Sequence, residues 1–204
     1  MNAWEHFFET IIYINLPHRT DSNVRILEQF YIHDIPYFKR MDGIIDPDSP
    51  MKGFNQAQWN AINASKGNTV IFEDDVVFDR NSGHLLQALD ELPVDWDILY
   101  LGANVVGTDL CSWPEPQHYS THLRRVTQAW TTHAVCYSQK GLDWIKQNWK
   151  HDDGQMYDDF LRCNLEKLQA FIIFPMICNQ RPGYSDIWQR EVDYGFFNVW
   201  RQIK

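Results

Sequence analysis

The sequence predicts an α/β fold, a mostly parallel sheet with helices on both faces. Short β-branched apolar runs alternate with longer amphipathic stretches along the chain, which is the pattern of strands alternating with helices. The run Thr69-Val70-Ile71-Phe72 is apolar without a break, as a buried strand is. It empties into Glu73-Asp74-Asp75, carboxylates that would lie at the carboxyl edge of the sheet, where open α/β folds place their ligand crevice. The 204 residues are 44% hydrophobic, enough for one domain with a good core. No linker, internal repeat or low-complexity tract divides them, so 1–204 reads as a single domain.

Ile11 to Leu16 is a first strand, ended by Pro17. Asp21 or Ser22 can cap a helix through about Ile32, with Val24, Leu27, Phe30 and Tyr31 roughly on one face. Pro36 to Met41 is a short second strand. Pro50 precedes a second helix through about Ala64, ending near Lys66-Gly67. The carboxylate-tipped strand follows, then a helix over Leu85–Leu92 and a strand over Trp96–Gly102. Asn104 to Gln117 reads as an irregular surface loop, of a length often used for lids or binding. Thr132–Tyr137 is a strand, Leu142–Trp149 and Met156–Leu168 are helices, and Ala170–Phe174 is a strand closed by Pro175. The segment Gln180–Ile187 is polar and contains Gly and Pro.

A formal net charge of -9 argues against nucleic acid or an anionic membrane as the main partner. The 4 Cys are scattered without a paired spacing, which argues against zinc ribbons and disulfide scaffolds and suits reduced thiols. Met1–His6 lacks a basic start and a long apolar run, which predicts no signal peptide, and no stretch is apolar enough for a transmembrane segment. A cytoplasmic location is therefore expected, at most peripheral at a membrane. The sequon Asn63-Ala64-Ser65 is then incidental. There is no GxGxxG after the first strand and no GxxxxGK[ST], which weakens a dinucleotide-binding enzyme and a P-loop NTPase.

Three adjacent carboxylates repel one another, which is tolerable when a divalent cation sits among them. The same stretch also reads as an acidic turn after a strand. The rest of the chain bears on that choice. Ile12-Tyr13-Ile14-Asn15-Leu16-Pro17-His18-Arg19-Thr20-Asp21 resembles the opening of glycosyltransferase family 25, the lipooligosaccharide and collagen galactosyltransferase group. Asp42-Gly43, Phe72-Glu73-Asp74-Asp75-Val76, Asp95 to Gly102, Thr131 to Ser138, Tyr157-Asp158-Asp159-Phe160-Leu161 and Ser185-Asp186-Ile187 resemble that family's later motifs, in the expected order. One departure stands out: where the family carries Ser-His on the second helix, this chain has Ala57-Gln58.

The resemblance implies a GT-A fold, a UDP-sugar donor, Mn²⁺ (or Mg²⁺), and inversion at the anomeric carbon. It implies Asp75 as a metal ligand, Glu73 as a metal or ribose contact, and Asp74 as a donor-sugar contact. Hard oxygen ligands suit such an ion. Asn15 and Leu16 would hold uracil, Arg19 would face a phosphate, and Asp42 would touch ribose or base. An inverting transfer needs a general base, and Asp158, in the first turn of a helix, is the candidate. A capping role for Asp158 or Asp159 is the alternative. Asp186 would fold back onto phosphates or metal, with a loop turn as the alternative, and His133 reads first as a hydrogen-bonded core residue. Trp59, Trp113 and Trp130 are sugar-stacking candidates or core packing. The expected function is transfer of a hexose, galactose foremost, to a glycan or glycolipid hydroxyl, as in lipopolysaccharide or surface-glycan synthesis. The alternatives are a non-catalytic binding module on a degenerate scaffold, and another metal-dependent α/β enzyme such as a nucleotidyltransferase or phosphohydrolase.

Overall fold

A computed structural model describes residues 2–79, 82–105, 107–108 and 111–193, with the backbone alone for residues 82, 107, 108, 111 and 112. Val106, Asp109 and Leu110 of the expected loop, and the Cys111 thiol, lie outside the described residues.

A short helix that the sequence does not announce, α1 (Ala3–Phe7), opens the described chain. The Asn2 side chain accepts from the Trp4 amide at 2.9 Å, and the buried Trp4 ring packs on Phe8, Phe72 and Phe78. Tertiary packing holds a helix too short to stand alone. Strand β1 (Thr10–Asn15) leads to α2 (Thr20–Ile32). This helix starts earlier than expected and has no side-chain cap: Arg19 holds the cap position, and Asp21 lies in the first turn, where a carboxylate favours the dipole. Strand β2 (Lys39–Asp42) is shorter than expected and begins after Phe38. Helix α3 (Pro50–Ala64) starts where Pro50 predicts, with the Ser49 hydroxyl accepting from the Lys52 amide at 3.4 Å.

Strand β3 (Thr69–Glu73) turns through Asp74 and Asp75 into β4 (Val76–Phe78). Helix α4 (Leu85–Asp90) and strand β5 (Ile98–Tyr100) come next. The expected loop contains the two-residue strands β6 (Gly107–Thr108) and β7 (Cys111–Ser112). Strands β8 (Gln117–His118) and β9 (Leu123–Arg125) form a hairpin that the sequence reading lacks. Then come β10 (Ala134–Tyr137), α5 (Gln139–Asn148), α6 (Tyr157–Asn164) and β11 (Ala170–Ile173). The polar segment expected after them is ordered as β12 (Cys178–Gln180), β13 (Gly183–Ser185) and β14 (Arg190–Val192). Strand β12 pairs with β4, and β13 with β14.

The central sheet has the order β2-β1-β3-β10-β5-β11-β9-β8. Strands β2, β1, β3, β5, β11 and β8 run one way, with β10 and β9 opposed. The strand period of two sends alternate side chains to opposite faces. Ile11, Tyr13, Val70 and Phe72 join one core with Ile26, Phe30 and Leu85. Ile12 and Ile71 join the other with Ile62, Leu142 and Phe160. The expected fold class is the observed one: a mixed, mostly parallel sheet flanked by helices.

The chain leaves β1 for β2 on one side, then crosses back to β3 on the other. The carboxyl ends of β1 and β3 are therefore a topological switch point, where open α/β sheets bind ligands. In this register Ile14 stands opposite Glu73, and Asn15 opposite Asp42. Gly102 lets a second segment close in. A Cβ there would sit 2.1 Å from the Cys178 carbonyl oxygen, so only glycine admits β12 at this approach.

Candidate active site

The switch point opens into a cavity of about 610 Å³, a size typical of ligand sites. Glu73, Asp74 and Asp75 form part of its wall. Each is held by a polar side chain from elsewhere in the chain. Glu73 Oε1 accepts from Thr132 Oγ1 at 2.7 Å and from Gln58 Nε2 at 3.3 Å. Asp74 Oδ2 accepts from Asn15 Nδ2, which also donates to the Arg19 carbonyl at 3.0 Å. Asp75 Oδ2 accepts from Gln180 Nε2 at 2.8 Å, and the Arg181 amide donates to the Asp75 carbonyl at 2.7 Å. Asp75 Oδ1 is buried without a hydrogen-bond partner among the described residues. A buried acceptor in that state costs about 1–3 kcal/mol, which a bound donor or cation recovers.

Asp158 faces the same cavity from the first turn of α6. Neither it nor Asp159 caps the helix, because Met156 holds that position without a side-chain cap. Buried Asn55 of α3 does the tying instead. Its Oδ1 accepts from the Tyr157 amide at 3.0 Å, and its Nδ2 donates to the Gln155 carbonyl at 2.8 Å. The adjacent carboxylates divide their work. Asp159 Oδ1 accepts from Trp130 Nε1 at 3.0 Å and from Arg162 Nη2 at 3.1 Å. Asp158 Oδ1 accepts from the Asp159 amide at 2.9 Å.

The electrostatics are those of crowded, desolvated acids. Burial raises Glu73, with Asp75 adding to it, and burial raises Asp75, with Asp74 adding to it. Burial, then the charge of Asp159, raises Asp158 from 3.8 to about 6. A carboxyl raised on folding keeps its proton in the native state where the unfolded chain has lost it. Stability therefore falls as pH rises from about 4 through 6. Asp158→Asn mimics the protonated form. In metal-free protein this variant is expected to melt above wild type at pH 8, with the gap closing as pH falls through about 6. Melting curves at several pH values check this, and a gap that does not change with pH counts against it.

Leu16, Arg19 and Asp186 also reach the cavity, and Asn15 supports it from beneath Asp74. Asp186, in the turn between β13 and β14, pairs with Arg19 Nη1 at 2.8 Å. Asp42 stands beside the cavity rather than in its wall, mostly exposed and paired with Arg40 at 3.2 Å. His133 is buried off the cavity, its Nδ1 3.1 Å from Thr131 Oγ1. Trp59 stacks on His151 at 4.9 Å, away from the site, and Trp113 packs edge-on against Trp130. Trp130 lines the cavity. Sequence reasoning passed over Asn55, Thr132, Gln180 and Arg181, and read Gln58 only as a lost histidine. No local pattern marks them, since Gln180 meets Asp75 across 105 positions and Asn55 meets Tyr157 across 102.

No protein-family model matches the chain, and no curated protein matches it. Among solved structures, it is similar to A197 from STIV at 9% identity and TM-score 0.47, over 90% of this chain and 92% of that one. It is similar to a glycosyltransferase involved in the glycosylation of the major capsid of PBCV-1, at 12% identity and TM-score 0.40, over 71% and 67%. A nucleoside-diphosphate-sugar pyrophosphorylase from Vibrio cholerae RC9 is similar at 14% identity and TM-score 0.37, over 84% and 75%. Likeness at this level assigns no chemistry.

Proposed function

We propose that this chain is a metal-dependent, inverting glycosyltransferase of the GT-A type. It moves a hexose, galactose foremost, from a UDP-sugar to a glycan hydroxyl, as in the building of lipopolysaccharide or another surface glycan. One observation carries the reading: at the switch point of the sheet, Glu73, Asp74 and Asp75 face Asp158 across a single cavity.

The residues fit a divalent ion. Asp75 offers a buried, unpartnered oxygen, and Glu73 adds a second hard donor nearby. Among the described residues no three His, Cys, Asp or Glu side chains assemble a metal site. Asp75, with Glu73 beside it, would hold such an ion through one or two carboxylates. When bound, Mn²⁺ or Mg²⁺ neutralises charge on the departing diphosphate. Asp158 takes the proton from the acceptor hydroxyl. That oxygen then attacks the anomeric carbon from the face opposite the leaving group. The new C–O bond forms as the bond to UDP breaks, which inverts the centre. Leu16 lies where the base would sit and Arg19 faces a phosphate, while Asn15 supports Asp74 from beneath and Asp186 holds Arg19 in place. No described helix is long and apolar enough to cross a membrane.

Thermal melting with UDP, with Mn²⁺ and with both tests the reading. A ligand that binds only the native state adds about 2.7 kcal/mol at one hundred times its Kd. The expected result is a clear rise that requires both components. No shift under any condition overturns the UDP-sugar reading.

A further inference from the structure

Trp130 and Thr131 form part of the cavity wall beside Asp158 and Asp159. Trp130 is partly buried within it and stands beside the helix start that carries Asp158. Its ring is held on several sides. Nε1 donates to Asp159, the Arg162 guanidinium lies 5.3 Å from the ring centroid, and Trp113 packs edge-on at 5.0 Å. Its backbone is fixed by a paired exchange with Asn104, at 2.8 and 3.0 Å.

The next residue makes this arrangement costly. Thr131 has φ of 73°, a left-handed conformation that a β-branched residue rarely adopts. Strain of this kind persists only where the surroundings over-determine it, and it gathers at ligand sites. Here it lets the residues on either side of Thr131 serve opposite sides. Trp130 reaches Asp159, while Thr132 Oγ1 reaches Glu73.

Resting on the proposed glycosyl transfer, we infer that Trp130 is the stacking platform of the acceptor subsite, and that the acceptor is an uncharged pyranoside. A fixed indole offers apolar area with no ordering cost on binding. The position suits the acceptor, because the hydroxyl to be deprotonated must lie at Asp158. The charge suits a neutral sugar. Arg162 and Asp159 pair with each other, which leaves the Asp158 carboxylate, ionised to act as base, to disfavour an anionic acceptor beside Trp130.

The test measures UDP release from UDP-galactose and UDP-glucose with Mn²⁺, titrated with methyl glycosides of galactose, glucose and N-acetylglucosamine. Wild type is expected to release UDP faster with at least one of them. In Trp130→Leu, which keeps an apolar group and removes the ring, the concentration for half-maximal stimulation is expected to rise tenfold or more. Trp130→Phe is expected to recover most of that loss. A structural role alone would lower kcat and leave the glycoside concentration dependence in place, and that result overturns the platform. Donor turnover that no pyranoside stimulates also overturns it, while the glycosyltransferase reading stands. If neither UDP-hexose binds, the glycosyltransferase reading itself falls, and the platform with it.

Discussion

Asp158→Asn is expected to lower kcat for sugar transfer by about 10²–10⁴-fold, the usual worth of a positioned general base, while UDP with Mn²⁺ still stabilises the protein. The substitution keeps size and keeps an oxygen to accept from the Asp159 amide. It removes the group that takes the acceptor proton. Burial raises Asp158 to about 6, so wild-type kcat/KM is expected to fall as pH drops below about 6, and the Asn variant is expected to lose that limb. Transfer assays across pH check both. Full kcat in Asp158→Asn would return this residue to a structural role at the start of α6.

Asp75→Asn is expected to remove the whole Mn²⁺-dependent part of UDP stabilisation, about 2.7 kcal/mol at one hundred times the wild-type Kd. The Asn oxygen still accepts from Gln180, so the β4–β12 pairing is kept. Burial and its acidic neighbour raise Asp75 in the metal-free protein. The variant is therefore expected to melt at or above wild type without metal at neutral pH. The two readouts move in opposite directions, which a general loss of fold cannot imitate. Melting with and without Mn²⁺ and UDP decides it, and a variant that keeps the metal-dependent shift removes Asp75 from the metal site.

Much of this architecture could be read directly. The β-branched, largely apolar run before Glu73 reads as a buried strand, and β3 is one. Pro50 marked the start of α3, whereas α5 begins three residues before the expected Leu142, with Ser138 as its cap at 3.0 Å from the Gly141 amide. The missed pieces are short and depend on distant partners. Strand β4 needs β12, and β13 needs β14. A two- or three-residue strand has no period to detect, so its pairing is invisible until the fold brings the partner near. Asp42 was read from the resemblance of Asp42-Gly43 to the family's second-strand ending. The parallel register does bring it opposite Asn15, but its side chain turns to Arg40 rather than to the cavity. Gln58 was read as an absence, yet the fold makes it a donor to Glu73.

The sequence by itself determined the alternation of strands and helices, the carboxylate tip of the central strand and the adjacent acids at Asp158 and Asp159. Those follow from local rules of burial, period and charge. The tertiary structure alone decided which acid is paired and which is left open to the cavity. Asp159 is committed because Trp130 and Arg162 reach it, and Asp158 is left facing Glu73 in the cavity. Gln180, Thr132 and Asn55 acquire their roles in the same way. A side chain's protonation and hydrogen bonding are set by what lies within a few ångströms in space, and at this site those neighbours come from 3 to 105 positions away.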